Sequence, residues 1–169
     1  MKTLDPLILT AKIAEEDLQP FDELRRKHFP PDRNFLRAHL TMFHRLPREY
    51  ADKIIEDLKD VAARASIRAD VSAIRHLGAG VAFTITSPEL LDVHVRLKQA
   101  LRPWLGGQDM QKWQPHITVQ NKVSRTEADA TYKGLVAEFR PHAIEIVGLD
   151  LWRYMGGPWD YFASQPFTP

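Results

Sequence analysis

Two short stretches, His39-Leu40-Thr41 and His116-Ile117-Thr118, repeat one arrangement, an imidazole and a hydroxyl two residues apart. Both lie in runs that alternate. His39, Thr41 and Phe43 oppose Leu40 and Met42, and His116, Thr118 and Gln120 oppose Ile117 and Val119, which is the period of a half-buried strand. Residues i and i+2 of a strand share a face roughly 6–7 Å apart, so each strand offers a titratable group beside a neutral donor. Displacement at phosphorus needs that pairing twice, because a proton leaves on one side of the phosphorus and arrives on the other. Two imidazoles from opposed strands supply a base and an acid, and the threonine hydroxyls donate to the non-bridging oxygens. The unperturbed pKa of histidine, ~6.5, allows one of the pair to be charged and the other neutral.

The elements that must position these strands come in two similar series. Residues 4–13 read as an apolar strand and 15–29 as a helix with Leu18, Phe21, Leu24 and His28 on one side. Phe29-Pro30-Pro31-Asp32 ends that helix and leads to the first motif strand, 37–45. A helix after Pro47 and an alternating strand at 67–73 complete the series. Beyond the turn at Leu77-Gly78-Ala79-Gly80 it begins again. A strand at 81–85 is followed by a helix with Ser87 as cap and Pro88 at its first position. A loop over 105–114 delivers the second motif. Ser124-Arg125-Thr126-Glu127 is a capping box, 142–154 a long strand bulged near Val147-Gly148, and Trp159 opens a last strand. The reading is α+β, with duplicated β-α-β-α-β units about a central groove in a single domain, lobes about 1–77 and 78–169.

The paired motifs, His39-Leu40-Thr41-Met42 and His116-Ile117-Thr118-Val119, resemble the 2H phosphoesterases, which include 2′-5′ RNA ligase-like proteins and cyclic nucleotide phosphodiesterases. The resemblance covers the order of elements along most of the chain. It implies a bilobal α+β fold and catalytic roles for His39, Thr41, His116 and Thr118. It also implies hydrolysis of a 2′,3′-cyclic phosphate or a 2′-5′ phosphodiester in a nucleotide or RNA end. His116 is taken as base toward water and His39 as acid toward the leaving oxygen. Many members carry an arginine shortly after the second motif; here the chain reads Gln120-Asn121-Lys122, a departure that points to hydrolysis rather than ligation. The alternative is a non-catalytic module that binds nucleotide or RNA ends in the same groove.

Strand parity adds further candidates. Arg45 and Lys122 each follow their motif histidine by six positions and would share the groove face, where they could hold a second phosphate. Phe43 and Gln120 would form its floor, and one of Trp113, Trp152 and Tyr154 would stack on a nucleobase. His44 lies an odd number of positions from His39 and is expected to face away. That parity argues against a metal site built from His39, His44 and His116, so no metal and no cofactor is expected. His28 and His94 sit on helix stripes, and His76 and His142 at element ends.

Composition narrows the partners. The chain has 169 residues, 44% of them hydrophobic and 27% charged, and a formal net charge of +1. Such a balance suits a small or single-stranded phosphorylated ligand better than duplex DNA. With no cysteine and no long apolar run, the expectation is a cytoplasmic protein, monomeric and without a membrane span.

Overall fold

The computed structural model describes residues 5–169; the expected start of the first strand at Leu4 lies outside them. In chain order the elements are β1 (Leu7–Ile13), α1 (Glu15–His28), β2 (Leu40–Leu46), α2 (Ala51–Ala62), β3 (Ile67–His76), β4 (Val81–Thr86), α3 (Pro88–Leu101), α4 (Gly107–Met110), β5 (His116–Gln120), α5 (Arg125–Glu138), β6 (His142–Tyr154) and β7 (Trp159–Pro166). The repeated series is present as read, with one addition. The loop expected over 105–114 contains the single turn α4.

Capping chemistry fixes two helix starts. Ser87 Oγ accepts from the Leu90 N–H at 3.2 Å and Ser124 Oγ from the Glu127 N–H at 3.1 Å. A 3₁₀ turn over Arg48–Tyr50 separates Pro47 from α2. In α1, Pro20 lies inside the helix, and the buried residues include two charged ones, Asp22 and Arg25, beside Phe21.

Among the described residues, all seven strands join one antiparallel sheet of order β2-β1-β6-β3-β4-β5, with β7 added to β6. The third strand of each β-α-β-α-β unit pairs with the first strand of the other. β6 lies beside β1, β3 beside β4, and β3 and β6 meet at the centre. The sheet therefore does not divide where the sequence repeat does, at residues 77–78. β6 serves both halves: it pairs with β3 over His142–Ile146 and with β7 from Gly148 onward. Between them Val147 is skipped in the ladder to β1, the bulge expected there. Gly148 is needed in this strand, since a Cβ would meet the Gln165 carbonyl oxygen at 2.8 Å.

The motif strands β2 and β5 stand at opposite ends of the strand order, yet they touch. The sheet is curled until its edges approach, and a continuous apolar core that includes Leu9, Leu40, Ile67, Val93, Ile117 and Ile146 holds that curl. No helix among the described residues is long and apolar enough to cross a membrane.

Candidate active site

Both motifs are seated by the same device. His39 Nδ1–H donates to the Arg37 carbonyl and His116 Nδ1–H to the Gln114 carbonyl, each at 2.8 Å and each two residues upstream. A carbonyl only accepts, so the proton lies on Nδ1 and each Nε2 presents a lone pair. The threonines follow on the same face. His39, Thr41, His116 and Thr118 line one cavity of about 500 Å³.

Helices hold the motif backbones from behind. Buried Asp22 of α1 accepts from the Ala38 N–H at 2.6 Å and from Arg37 Nε at 2.7 Å, fixing the entry to His39. Arg25, one turn on, donates to the Thr118 carbonyl at 3.0 Å and to Asn34 Oδ1. On the other side Trp113 Nε1–H donates to the Thr41 carbonyl at 3.0 Å, and His94 Nε2–H to the Met42 carbonyl at 3.2 Å. His94 lies flat between Phe43 and Trp113, with ring centroids 4.6 and 4.1 Å away.

Beyond the threonines the regular alternation fails in both strands. In β2, Thr41 pairs with Thr10 and Phe43 with Leu9, leaving Met42 as an extra residue. In β5, Thr118 pairs with Ala82 and Gln120 with Val81, leaving Val119 extra. A bulge reverses the parity of everything after it. Phe43 and Gln120, expected on the groove floor, are turned into the interior at 0% and 1% exposure. Gln120 Nε2 donates to Thr131 Oγ1 at 2.8 Å.

Arg45 and Lys122, expected to hold a second phosphate, line no part of the cavity; Lys122 lies past the end of β5 with φ +64°. Tyr154, at the outer end of β6, is also outside it. His44, expected to face away, lines the cavity. Its Nδ1–H donates to Asp109 Oδ1 at 3.0 Å. The same buried carboxylate receives the N–H groups of His44 at 2.8 Å and Arg45 at 3.0 Å, taking the place of a ladder partner at a second irregularity of β2.

Sequence reasoning also missed Arg75 and Trp159. Arg75 pairs with Ala82, which pairs with Thr118, so the guanidinium lies on the motif face two strands away and lines the cavity. The Trp159 ring lies 4.6 Å from that of His39. Of these residues Asp22 and Arg25 had a legible signal: charges on the apolar side of α1 ask for buried partners. Four histidines line the cavity, His39, His44, His94 and His116, but among the described residues no group of three His, Asp or Glu side chains is placed to hold a metal ion.

The electrostatics favour neutral imidazoles in the free protein. Burial, with the nearby charges of Arg25, His116 and His44, pushes His39 down to about 4, against a smaller upward pull from its bond to the Arg37 carbonyl. His116 is lowered too, by burial first and then by Arg75 and His44.

A second cavity, also of about 500 Å³, opens on the other side of His39 and Trp159, which line both. Its wall carries Phe35, Trp152 and Tyr161, with the carboxylates of Asp150 and Glu15.

The curled sheet thus brings the two His-x-Thr stretches, on which the resemblance to the 2H phosphoesterases rests, to one cavity. The sequence matches the model of the 2′-5′ RNA ligase superfamily over residues 12–158, and the chain belongs to that family. It is similar in fold to the crystal structure of TT0787 of Thermus thermophilus, at 16% identity over 96% of this chain and 97% of that one, with a TM-score of 0.68. E. coli LigT complexed with 3′-AMP is 15% identical over 98% and 99% of the two chains, TM-score 0.63. A crystal structure described as a phosphoesterase is 15% identical over 98% and 100%, TM-score 0.66. No curated protein sequence matches significantly. The chain is thus an enzyme of the 2H phosphoesterase type.

Proposed function

We propose that the enzyme hydrolyses a 2′,3′-cyclic phosphate or a 2′-5′ phosphodiester in a nucleotide or RNA end by general acid–base catalysis, without metal and without a covalent intermediate. The observation that carries this reading is the matched pair of Nδ1 bonds to backbone carbonyls, which aims two Nε2 atoms into one cavity. His116, in the charged cavity with Arg75, takes the proton of the attacking water. His39, which also lines the second cavity, returns a proton to the leaving oxygen. An anionic phosphate between them favours the protonated imidazole and raises His39 from its low value when substrate binds. Thr41 and Thr118 donate to the non-bridging oxygens, and Arg75 offsets the charge that develops there.

The test is product analysis with 2′,3′-cyclic nucleotides and 2′-5′ dinucleotides in the presence of a chelator. Turnover should persist in chelator and fall about 10²–10⁴-fold in His39→Ala and in His116→Ala alike. Activity that survives both substitutions refutes the mechanism.

A further inference from the structure

The two motif histidines are anchored alike, yet the peptides that anchor them differ. The Arg37 carbonyl that accepts from His39 Nδ1–H belongs to the same peptide as the Ala38 N–H, and that N–H donates to Asp22 Oδ1 at 2.6 Å. Carboxylate, peptide and imidazole thus form one chain of hydrogen bonds ending on a motif histidine. The Gln114 carbonyl that accepts from His116 Nδ1–H belongs to the peptide of Pro115, which has no N–H. No such chain can form there.

Position alone does not ask for a charge at residue 22. An amide oxygen also accepts from an N–H, whereas a carboxylate on the inner side of α1, 8% exposed, costs more to desolvate. The second oxygen of Asp22 accepts from Arg37 Nε at 2.7 Å, but Arg37 is also held by Glu15, at 2.6 and 3.1 Å. What the charge adds is polarisation. A hydrogen bond to an ionised acceptor is the stronger kind, and it makes the carbonyl at the far end of the same peptide a better acceptor in turn.

We propose that Asp22 is a positioning residue that acts on His39 through the 37–38 peptide and makes His39, rather than His116, the imidazole that carries the proton to the leaving oxygen. The proposal rests on the phosphoesterase reading and supplies a cause for the direction of proton transfer in it. A stronger acceptor at Nδ1 favours the imidazolium. It works against the burial of His39 and against the positive charges of Arg25 on α1, His44 on β2 and His116 on β5. Lys12 of β1, Glu15 of α1 and Asp150 of β6 line the second cavity with His39 and act on it through space.

The Nδ1–H protons of His39 and His116 report on this without turnover. They are observed by NMR in ¹⁵N-labelled protein near neutral pH, where a stronger hydrogen bond places its proton further downfield. Asp22→Asn keeps an oxygen for the Ala38 N–H and removes the charge. The His39 proton should move upfield and the His116 proton stay in place, while kcat on a 2′,3′-cyclic nucleotide falls about 3- to 30-fold, short of the loss from removing the acid itself, and KM holds within about twofold. Ala38→Pro gives the first motif the N–H-free peptide of the second and should produce the same changes by another route. A His39 proton unmoved in the folded variants, an equal shift at His116, or a change in KM alone overturns the proposal. A His39 proton that moves in a protein without turnover on any substrate keeps the bond chain and refutes the catalytic reading. Turnover with kcat unchanged in Asp22→Asn keeps that reading and refutes the role of Asp22.

Discussion

The pH at which this enzyme works best follows from how far its surroundings move the two histidines. Productive enzyme needs one imidazole protonated and the other neutral, and the maximum of kcat/KM lies midway between their two values whichever is the acid. Two unperturbed imidazoles would place it at about 6.5. With His39 carried to about 4 and His116 also lowered, the maximum falls below about pH 5.3, and the rate drops tenfold per unit on the alkaline limb. The Trp159 ring at 4.6 Å screens His39 from water, so Trp159→Ala should let its pKa return toward 6.5. A return of up to about 2.5 units moves the maximum up by as much as about 1.2. A phosphodiester does not titrate in this range and neither does uracil, so profiles of kcat/KM with a uridine substrate between pH 4 and 8 read the protein alone. Proton NMR titration of the His39 Cε1–H gives the same quantity directly. Titration of His39 near 6.5 in the unaltered protein, or an optimum that does not move in the variant, refutes the reasoning.

Gly80→Ala places a Cβ 1.9 Å from the Gln120 carbonyl oxygen, so the end of β5 must shift; circular dichroism should show a folded protein whose activity is lost. Asp109→Ala strips the backbone N–H groups of His44 and Arg45 of their acceptor, and urea unfolding should show a loss of about 2 kcal/mol or more. Burial, 4% exposed, carries His94 to about 4, so the unfolded chain takes up a proton near 6.5 that the folded protein refuses until about 4. Stability from this group is therefore full above that window and falls by about 3 kcal/mol as pH drops through it. His94→Phe should flatten that dependence in melts run from pH 7 to 4, at some cost at neutral pH for the unpaired Met42 carbonyl.

What the sequence made legible and what it hid divide at the bulges. Up to Thr41 and Thr118 the alternation is regular, and imidazole and hydroxyl share a face as their spacing requires. One residue later each strand gains an unpaired residue. Parity counted past that point sends Phe43, Gln120, Arg45 and Lys122 to the groove and His44 away from it. Nothing local marks these bulges, because no glycine or proline falls at Met42 or Val119. The second irregularity of β2, at His44 and Arg45, has a partner remote in sequence: the Asp109 carboxylate that receives their two N–H groups comes from a four-residue helix read as loop. Arg75 was equally out of reach, since its place depends on a ladder from β3 through β4 to β5.

The same topology explains why two weak local patterns become one site. A unit of strand, helix, strand, helix and strand repeated along the chain would give two separate small sheets if each unit paired only within itself. Here the third strands are exchanged, so β6 completes the sheet of β1 and β2 while β3 completes that of β4 and β5, and the central β3–β6 pair fuses the two. That pairing sets the motif strands at the two ends of one curled sheet, related by the symmetry of the exchange. It accounts for the matched Nδ1 bonds and the matched bulges. The halves then differ where β7 adds a strand to β6 alone, and there the rings of Trp152, Trp159 and Tyr161 line a cavity beside His39. The two motif histidines thus have unlike surroundings, with the aromatic cavity beside His39 and not beside His116.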